Sequence, residues 1–349
     1  MRNIRVLIVD DSELIRQMLT QVLSAAPDIE VVGVAEHPYE AREKIKQLNP
    51  DVMTLDVEMP KMDGISFLKN LMRLRPMPVV MISTLTAKGA PVTLDALEIG
   101  AVDYVTKPQG DAWQNLDDYA QLIQDKVRNA ALANLDALER VKRYHAAPPE
   151  APRSDRFKSG AVICIGSSTG GTEAIREVLS SMPENCPPIL MAQHIPPTFS
   201  TTFAARLDRM SGIRVLEAAS GLELEPGCAY LAPGDRHLRV RKESGRLVTQ
   251  LDESEKVSGH RPSVDVLFDS VCEQVGKLSV AALLTGMGSD GAAGMKRIFE
   301  LGGHTVVQDE ASSVVWGMPG AAYRLGAAER ILPLNQIGRA LLEYCRLSG

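Results

Sequence analysis

Short runs of Val, Ile and Leu recur along this 349-residue chain, and a stretch with helical spacing follows most of them. In the first third the runs fall at Arg5–Val9, Glu30–Val34, Val52–Leu55, Val79–Ile82 and Asp103–Val105. A run that is apolar without alternation suits a strand buried on both faces, as in a parallel sheet. After the first run, Ser12 can cap a helix on which Leu14, Ile15, Met18, Leu19, Val22 and Leu23 follow helical spacing. Five such βα units predict a doubly wound five-stranded parallel sheet with helices on both faces.

A helical stretch then runs from Leu116 to about Tyr144, with Leu116, Tyr119, Ile123 and Val127 on one stripe. Pro148, Pro149 and Pro152 break any helix that reaches them. From about Arg156 a second α/β series begins. Its strand candidates are Ala161–Ile165, Ile189–Ala192, Cys228–Leu231 and Val280–Leu284, and Leu238–Gln250 alternates around Glu243-Ser244-Gly245 as a hairpin does. The expected organisation is one α/β domain over residues 1–127, a helical then proline-rich linker over 128–158, and a second, mainly parallel α/β domain with a β-hairpin over 159–349.

Bulk properties exclude several functions. The chain has 38 basic and 44 acidic residues, a net charge of -6, and this balance argues against a nucleic-acid-binding output. Aromatic residues make up 4%, too few for a base-stacking platform. The five cysteines include no CxxC pair, which argues against a zinc site or a disulfide framework. The apolar run Val6–Val9 is too short for a signal peptide, and no run approaches the ~18 apolar residues of a membrane span. A cytoplasmic protein without membrane insertion is expected.

Functional loops of parallel α/β sheets lie at the carboxyl ends of the strands. In the first domain Asp10 and Asp11 close the first strand, Asp56 the third and Ser83 the fourth, while Lys107 follows the fifth. Crowded carboxylates need a cation, and an oxygen-only set suits Mg²⁺. A carboxylate beside the metal can attack phosphorus, with a lysine and a hydroxyl to bind the phosphoryl oxygens. Any one of these acids could be a solvated helix cap, but all of them on successive strand ends favour a pocket. The combination, with Asp56-Val-Glu-Met-Pro-Lys-Met-Asp-Gly64, resembles the receiver domain of two-component response regulators over residues 3–125, a flavodoxin-like fold. The resemblance implies phosphorylation of Asp56, an Mg²⁺ shell of Asp10, Asp11, Asp56 and the Glu58 carbonyl, and switch positions at Ser83, Tyr104 and Lys107.

In the second domain Gly166-Ser-Ser-Thr-Gly-Gly171 follows a strand and precedes a helical segment, with a G-x-S-x-G pattern centred on Ser168. Such a turn exposes a nucleophilic serine, although a glycine-rich turn can equally hold a phosphate. His194 follows the next strand and can serve as base. Asp290 lies in Thr285-Gly-Met-Gly-Ser-Asp-Gly291 after a later strand and can orient that base. The order Ser, His, Asp differs from that of α/β-hydrolases, chymotrypsin and subtilisin. Cys164 lies inside an apolar run and reads as core.

These motifs, with Gln193-His-Ile-Pro196, Tyr230-Leu-Ala-Pro-Gly234 and Arg261-Pro-Ser-Val-Asp265, resemble the catalytic domain of the chemotaxis protein-glutamate methylesterases, the CheB family, over about residues 159–347. Ser167 stands where Ala is frequent and Ser289 where Asn is frequent, and Ser167 places a second hydroxyl beside Ser168. The resemblance implies a phosphorylation-regulated hydrolase that removes methyl groups from receptor glutamates and deamidates receptor glutamines, with Ser168 as nucleophile, His194 as base and Asp290 as its orienting acid. Thr169, the Met287 N–H and His260 are carried over to the oxyanion and substrate region. Implied partners are a chemotaxis histidine kinase and methyl-accepting chemoreceptors, at whose arrays the protein would gather; no cofactor is expected for the esterase chemistry. A DNA-binding regulator, a nucleotide-binding α/β domain and a hydrolase fold without chemistry are the competing readings.

Overall fold

The computed structural model describes residues 2–83, 89–108, 116–145 and 156–347. The chain falls into two compact units, residues 1–135 and 136–349.

In the first unit, β1 (Ile4–Val9), α1 (Glu13–Ser24), β2 (Ile29–Ala35), α2 (Pro38–Leu48), β3 (Val52–Asp56), α3 (Gly64–Leu74), β4 (Val79–Ser83), α4 (Gly89–Ile99), β5 (Asp103–Thr106) and α5 (Leu116–Ala131) alternate strictly. The strands form one sheet of order β2-β1-β3-β4-β5, parallel throughout. Each expected strand is present to within a residue or two. The local chemistry is as the sequence suggests: the Ser12 hydroxyl accepts from Ile15 N, and Asp63 caps α3 by accepting from Ser66 N at 2.8 Å. The sheet order reverses direction at β1, so the crevice beside β1 and β3 is where a ligand site belongs.

The helical stretch expected from Leu116 to about Tyr144 is two helices. α5 stops at Ala131 and α6 (Leu135–His145) follows. Tight turns separate them, with Leu132 N and Ala133 N donating three residues back, and Asn134 is a residue type that favours a helix start over a helix interior. Pro148, Pro149 and Pro152 lie outside the described residues.

The second unit contains β6 (Val162–Ser167), α7 (Gly171–Ser180), β7 (Ile189–Gln193), α8 (Pro197–Met210), β8 (Arg214–Glu217), β9 (Cys228–Leu231), β10 (His237–Glu243), β11 (Arg246–Asp252), α9 (Val264–Val275), β12 (Ser279–Leu283), α10 (Ala292–Glu300), β13 (His304–Gln308), α11 (Met318–Arg324), β14 (Arg330–Leu332) and α12 (Leu334–Cys345). Seven strands make a parallel sheet of order β14-β13-β12-β6-β7-β9-β8, and β10 and β11 form a separate antiparallel hairpin. The hairpin turn is Ser244-Gly245, both with positive φ, the geometry that a two-residue turn needs to match strand twist. The strands β8, β13 and β14 were not expected. β8 and β14 are short and carry charged ends, and β13 buries Thr305 and Gln308, so none shows a continuous apolar run.

β6 lies between β7 and β12, and the chain leaves it in both directions. That strand order puts a switch point at the carboxyl end of β6. Gly166 lets α9 close onto β6, since a Cβ there would sit 2.2 Å from Val264 Cγ1 and 3.0 Å from Leu283 Cδ1. No described helix is long and apolar enough to cross a membrane. Gly166→Ala is expected to destabilise the second unit by about 1–3 kcal/mol through overpacking, read as a lowered midpoint in urea unfolding with unchanged slope.

Candidate functional site

Three neighbouring strands each deliver one group to the edge of the larger sheet. Ser168 follows β6 directly, His194 follows β7 directly, and Asp290 stands in the loop between β12 and α10. His194 Nδ1 lies 3.1 Å from Ser168 Oγ, and His194 Nε2 lies 2.8 Å from Asp290 Oδ2. Ser168 and Asp290 are buried.

Asp290 explains the direction of this relay. Burial opposes its ionisation, but the hydrogen bond and charge of His194 and the Asp265 and Val264 N–H groups outweigh that and hold it at about 2. Its carboxylate accepts from Ser263 Oγ at 2.8 Å, Val264 N at 2.7 Å and Asp265 N at 3.0 Å, the cap and first turn of α9. An ionised Asp290 can only accept, so Nε2 carries the imidazole proton and Nδ1 is left to accept from the Ser168 hydroxyl. The two ring nitrogens exchange places relative to the chymotrypsin-type triad, while the logic is unchanged.

The competing groups sort themselves by contact. The Ser167 hydroxyl donates to Gln193 Oε1 at 2.6 Å, away from the histidine. Cys164 is fully buried, its Sγ 3.8 Å from the Val280 carbonyl, and burial pushes its thiol well above the ordinary range, so it is core. The Ser168 N–H donates to the Thr285 carbonyl at 3.0 Å and is spent on structure. Gly286 packs on Ser168: a Cβ there would lie 2.7 Å from Ser168 Cβ. The next residue, Met287, has an N–H without a hydrogen-bond partner among the described residues. Thr169 is buried beside Ser168, and its carbonyl accepts from Thr285 Oγ1 at 3.0 Å. His260 stacks on His194 with ring centroids 3.6 Å apart and planes 14° from parallel, so it covers one face of the His194 imidazole.

Sequence reasoning passed over Ser263, Gln193 and Thr285. Ser263 had a readable signal, a serine just before an apolar helical run, which marks an N-cap. Gln193 and Thr285 had none beyond their nearness to His194 and Gly286, because their roles depend on contacts across strands.

In the first unit Asp10, Asp11 and Asp56 offer oxygens that all lie within 4.8 Å of one another. Lys107 Nζ stands 2.9 Å from Asp10 Oδ2 and 2.8 Å from Asp56 Oδ2. Burial pushes the Asp56 carboxyl up to about 6, the charge of Asp10 adds to this, and Lys107 opposes it. Burial also works against the Lys107 ammonium, but Asp56 and Asp10 outweigh it and hold it above its ordinary value. Ser83 shares a 2.8 Å hydrogen bond with Thr93, and Tyr104 is buried. Gly64 is required where it stands, since a Cβ would come 2.0 Å from the Asp56 carbonyl oxygen. A cleft of about 560 Å³ opens here, lined by Asp11, Glu58, Met59, Asp63 and Ser83 among others. Three carboxylates against one ammonium leave two negative charges, an all-oxygen donor set that fits Mg²⁺.

A parallel sheet with a Ser–His–Asp relay at its switch point, preceded by a unit with an acidic phospho-acceptor pocket, defines a response regulator with a hydrolase output. Residues 163–341 match the family model described as CheB methylesterase, and residues 6–115 match that of the response regulator receiver domain. The chain is 54% identical over 345 residues to the protein-glutamate methylesterase/protein-glutamine glutaminase 2 of Saccharophagus degradans, covering 99% of each chain. It is 52% identical over 352 residues to the corresponding protein of Nitrosomonas europaea, covering 100% of this chain and 98% of that one. The crystal structure of the Thermotoga maritima CheB methylesterase catalytic domain superposes with a TM-score of 0.52 at 39% identity, covering 53% of this chain and 99% of that one. The chain belongs to the CheB methylesterase family.

Asp290→Asn removes the charge that fixes the tautomer of His194. It is expected to lower kcat by about 10³–10⁴-fold, measured on folded protein; a loss below tenfold means that another group orients the base.

Proposed function

We propose that this chain is a phosphorylation-regulated protein-glutamate methylesterase and protein-glutamine glutaminase acting on chemoreceptors, with Ser168, His194 and Asp290 as its catalytic groups. The observation that carries the reading is the continuous relay from Ser168 Oγ through His194 to a buried, ionised Asp290. Ser168 Oγ attacks the γ-carbonyl carbon of a glutamyl methyl ester, and its proton passes to His194 Nδ1. The N–H of Met287 and the Thr169 region hold the oxyanion. The bond to the methoxy oxygen breaks, His194 returns the proton, and methanol leaves. Water then attacks the acyl-enzyme by the same relay, freeing the glutamate and restoring Ser168. A glutamine side chain follows the same path with ammonia as leaving group. This chemistry runs on side chains and needs no cofactor.

The receiver is the switch. Asp10, Asp11, Asp56 and the Glu58 carbonyl would hold Mg²⁺, whose charge offsets that of the incoming phosphoryl group. Asp56 accepts the phosphoryl group from a chemotaxis histidine kinase, Lys107 and Ser83 bind its oxygens, and buried Tyr104 reports the change. Phosphorylation adds about -1.5 to -2 charges, enough to repack an interface, so the receiver restrains the esterase until Asp56 is modified. Helix α6 and the proline-rich residues after it serve as the linker, and recruitment to receptor arrays in the cytoplasm brings enzyme and substrate together. The DNA-binding alternative has no support in an output unit built as a parallel sheet.

Methanol release from methylated chemoreceptor membranes is expected to rise when acetyl phosphate and Mg²⁺ are added, to stay at the basal rate in Asp56→Asn, and to vanish in Ser168→Ala. Full activity in Ser168→Ala would remove the catalytic reading, and donor stimulation surviving in Asp56→Asn would remove the switch. Asp11→Asn is expected to weaken Mg²⁺ binding by about tenfold or more in calorimetric titration, because a hard cation is held mainly by charged oxygen.

A further inference from the structure

Strands β6 and β7 pair with Ser167 opposite Gln193, one residue before Ser168 and His194. Both side chains are buried, at 0% and 4% exposure. The Ser167 hydroxyl donates to Gln193 Oε1 at 2.6 Å. The two Nε2 hydrogens of Gln193 go to the Ser168 carbonyl at 2.9 Å and the His194 carbonyl at 3.2 Å. A single carboxamide therefore touches the main chain of the nucleophile and that of the base. Turning the amide over would set Oε1 against two carbonyl oxygens, so its orientation is chemically determined. Gly171 leaves it room, since a Cβ there would lie 2.2 Å from Gln193 Oε1 and 2.7 Å from Ser167 Oγ.

We propose that Ser167 and Gln193 form a clamp that sets the Ser168–His194 spacing. Gln193 is the positioning residue, and Ser167 holds its carboxamide in place. The proposal rests on the reading that Ser168 and His194 carry the chemistry. The β6–β7 ladder ends at this pair, with His194 N donating to the Ser167 carbonyl at 3.2 Å. Beyond it the two chains diverge into separate loops, and Gln193 ties them together where the ladder stops. Proton transfer needs the 3.1 Å contact between Ser168 Oγ and His194 Nδ1 to persist, and a misplacement of about 1 Å costs about 10²-fold in rate. An alanine at 167 could not supply the hydroxyl that Oε1 accepts from, so Ser167 is a feature of this chain with a definite function.

The test compares full-length wild type with Ser167→Ala, Gln193→Leu, the double variant and Ser168→Ala. The readouts are kcat and KM for methanol release, and the rate of serine phosphonylation by a fluorophosphonate, located by mass spectrometry. Expected are a kcat loss of about 5-fold in Ser167→Ala and about 100-fold in Gln193→Leu, equal slowing of phosphonylation, and KM within about 3-fold of wild type. The double variant should be no worse than Gln193→Leu, because Ser167 acts through Gln193. A Ser167→Ala protein that matches wild type in both readouts overturns the clamp, even where Gln193→Leu fails to fold. A Ser168→Ala protein that still releases methanol overturns the catalytic reading, and the clamp with it.

Discussion

The pairing of β6 with a parallel strand on each side is the constraint on which the catalytic edge depends. Leu283 is in register with Gly166 on one side, and Ser167 with Gln193 on the other. Parallel strands end at the same edge, so the residues just beyond them are delivered to one line with no long loop to order. Ser168 and His194 follow their strands at once, and Asp290 reaches back from a short glycine-rich loop. Catalytic geometry of this kind is inherited from backbone hydrogen bonds, each strengthened by its neighbours, and the side chains need only local adjustment.

Helix α9 completes the arrangement from above. Its cap and first two N–H groups all point at the Asp290 carboxylate. A helix start has unsatisfied donors that some acceptor must meet, and here the acceptor is the acid of the relay. The same contacts that finish the helix keep Asp290 ionised and fix its orientation. Gly166 and Gly291 allow this approach, because a Cβ at either would press within 2.5 Å of Val264. Helix capping and the geometry of the Ser168–His194–Asp290 relay thus share one set of contacts, and a substitution in the α9 cap would disturb both.

Much of this was legible in the sequence. Val and Ile runs located all five strands of the first sheet and β6, β7, β9 and β12 of the second, and strand-end placement located Asp10, Asp56, Lys107, Ser168 and His194, because in parallel sheets chain order and spatial position are tightly linked. Strands β8, β13 and β14 escaped: β8 and β14 lie at the sheet edges, where a strand paired on one side needs little apolar character, and β13 carries the buried polar Thr305 and Gln308. The G-x-S-x-G pattern pointed to Ser168, but what Ser167 does was beyond local pattern. Only the side-to-side register with Gln193 shows where the Ser167 hydroxyl goes. The break between α5 and α6 was hidden because the apolar stripe continues through the first helix and the break rests on a single favourable start residue, Asn134.

Two buried aspartates show how environment gives similar groups opposite electrostatics. Asp56 and Asp290 are each about 2% exposed. Asp56 is pushed up to about 6, whereas Asp290 is held at about 2. Burial raises both, so burial cannot be the difference. Asp56 faces a second carboxylate, Asp10, is held by the Lys107 ammonium at 2.8 Å, and among the described residues has one backbone donor, the Glu58 N–H, at a long 3.4 Å. Asp290 also has an acidic neighbour, Asp265, but accepts from a hydroxyl, two N–H groups and an imidazole. A carboxylate crowded by a second acid keeps negative charge that a further cation such as Mg²⁺ would offset, which suits the phospho-acceptor role proposed for Asp56. A carboxylate saturated with donors stays an anion and stays still, the requirement for a group that must orient an imidazole through a catalytic cycle. On the proposed function, one residue type thus serves as a switch and as an anchor, and what surrounds each carboxylate, a second acid and an ammonium for Asp56, a hydroxyl, two N–H groups and an imidazole for Asp290, separates the two.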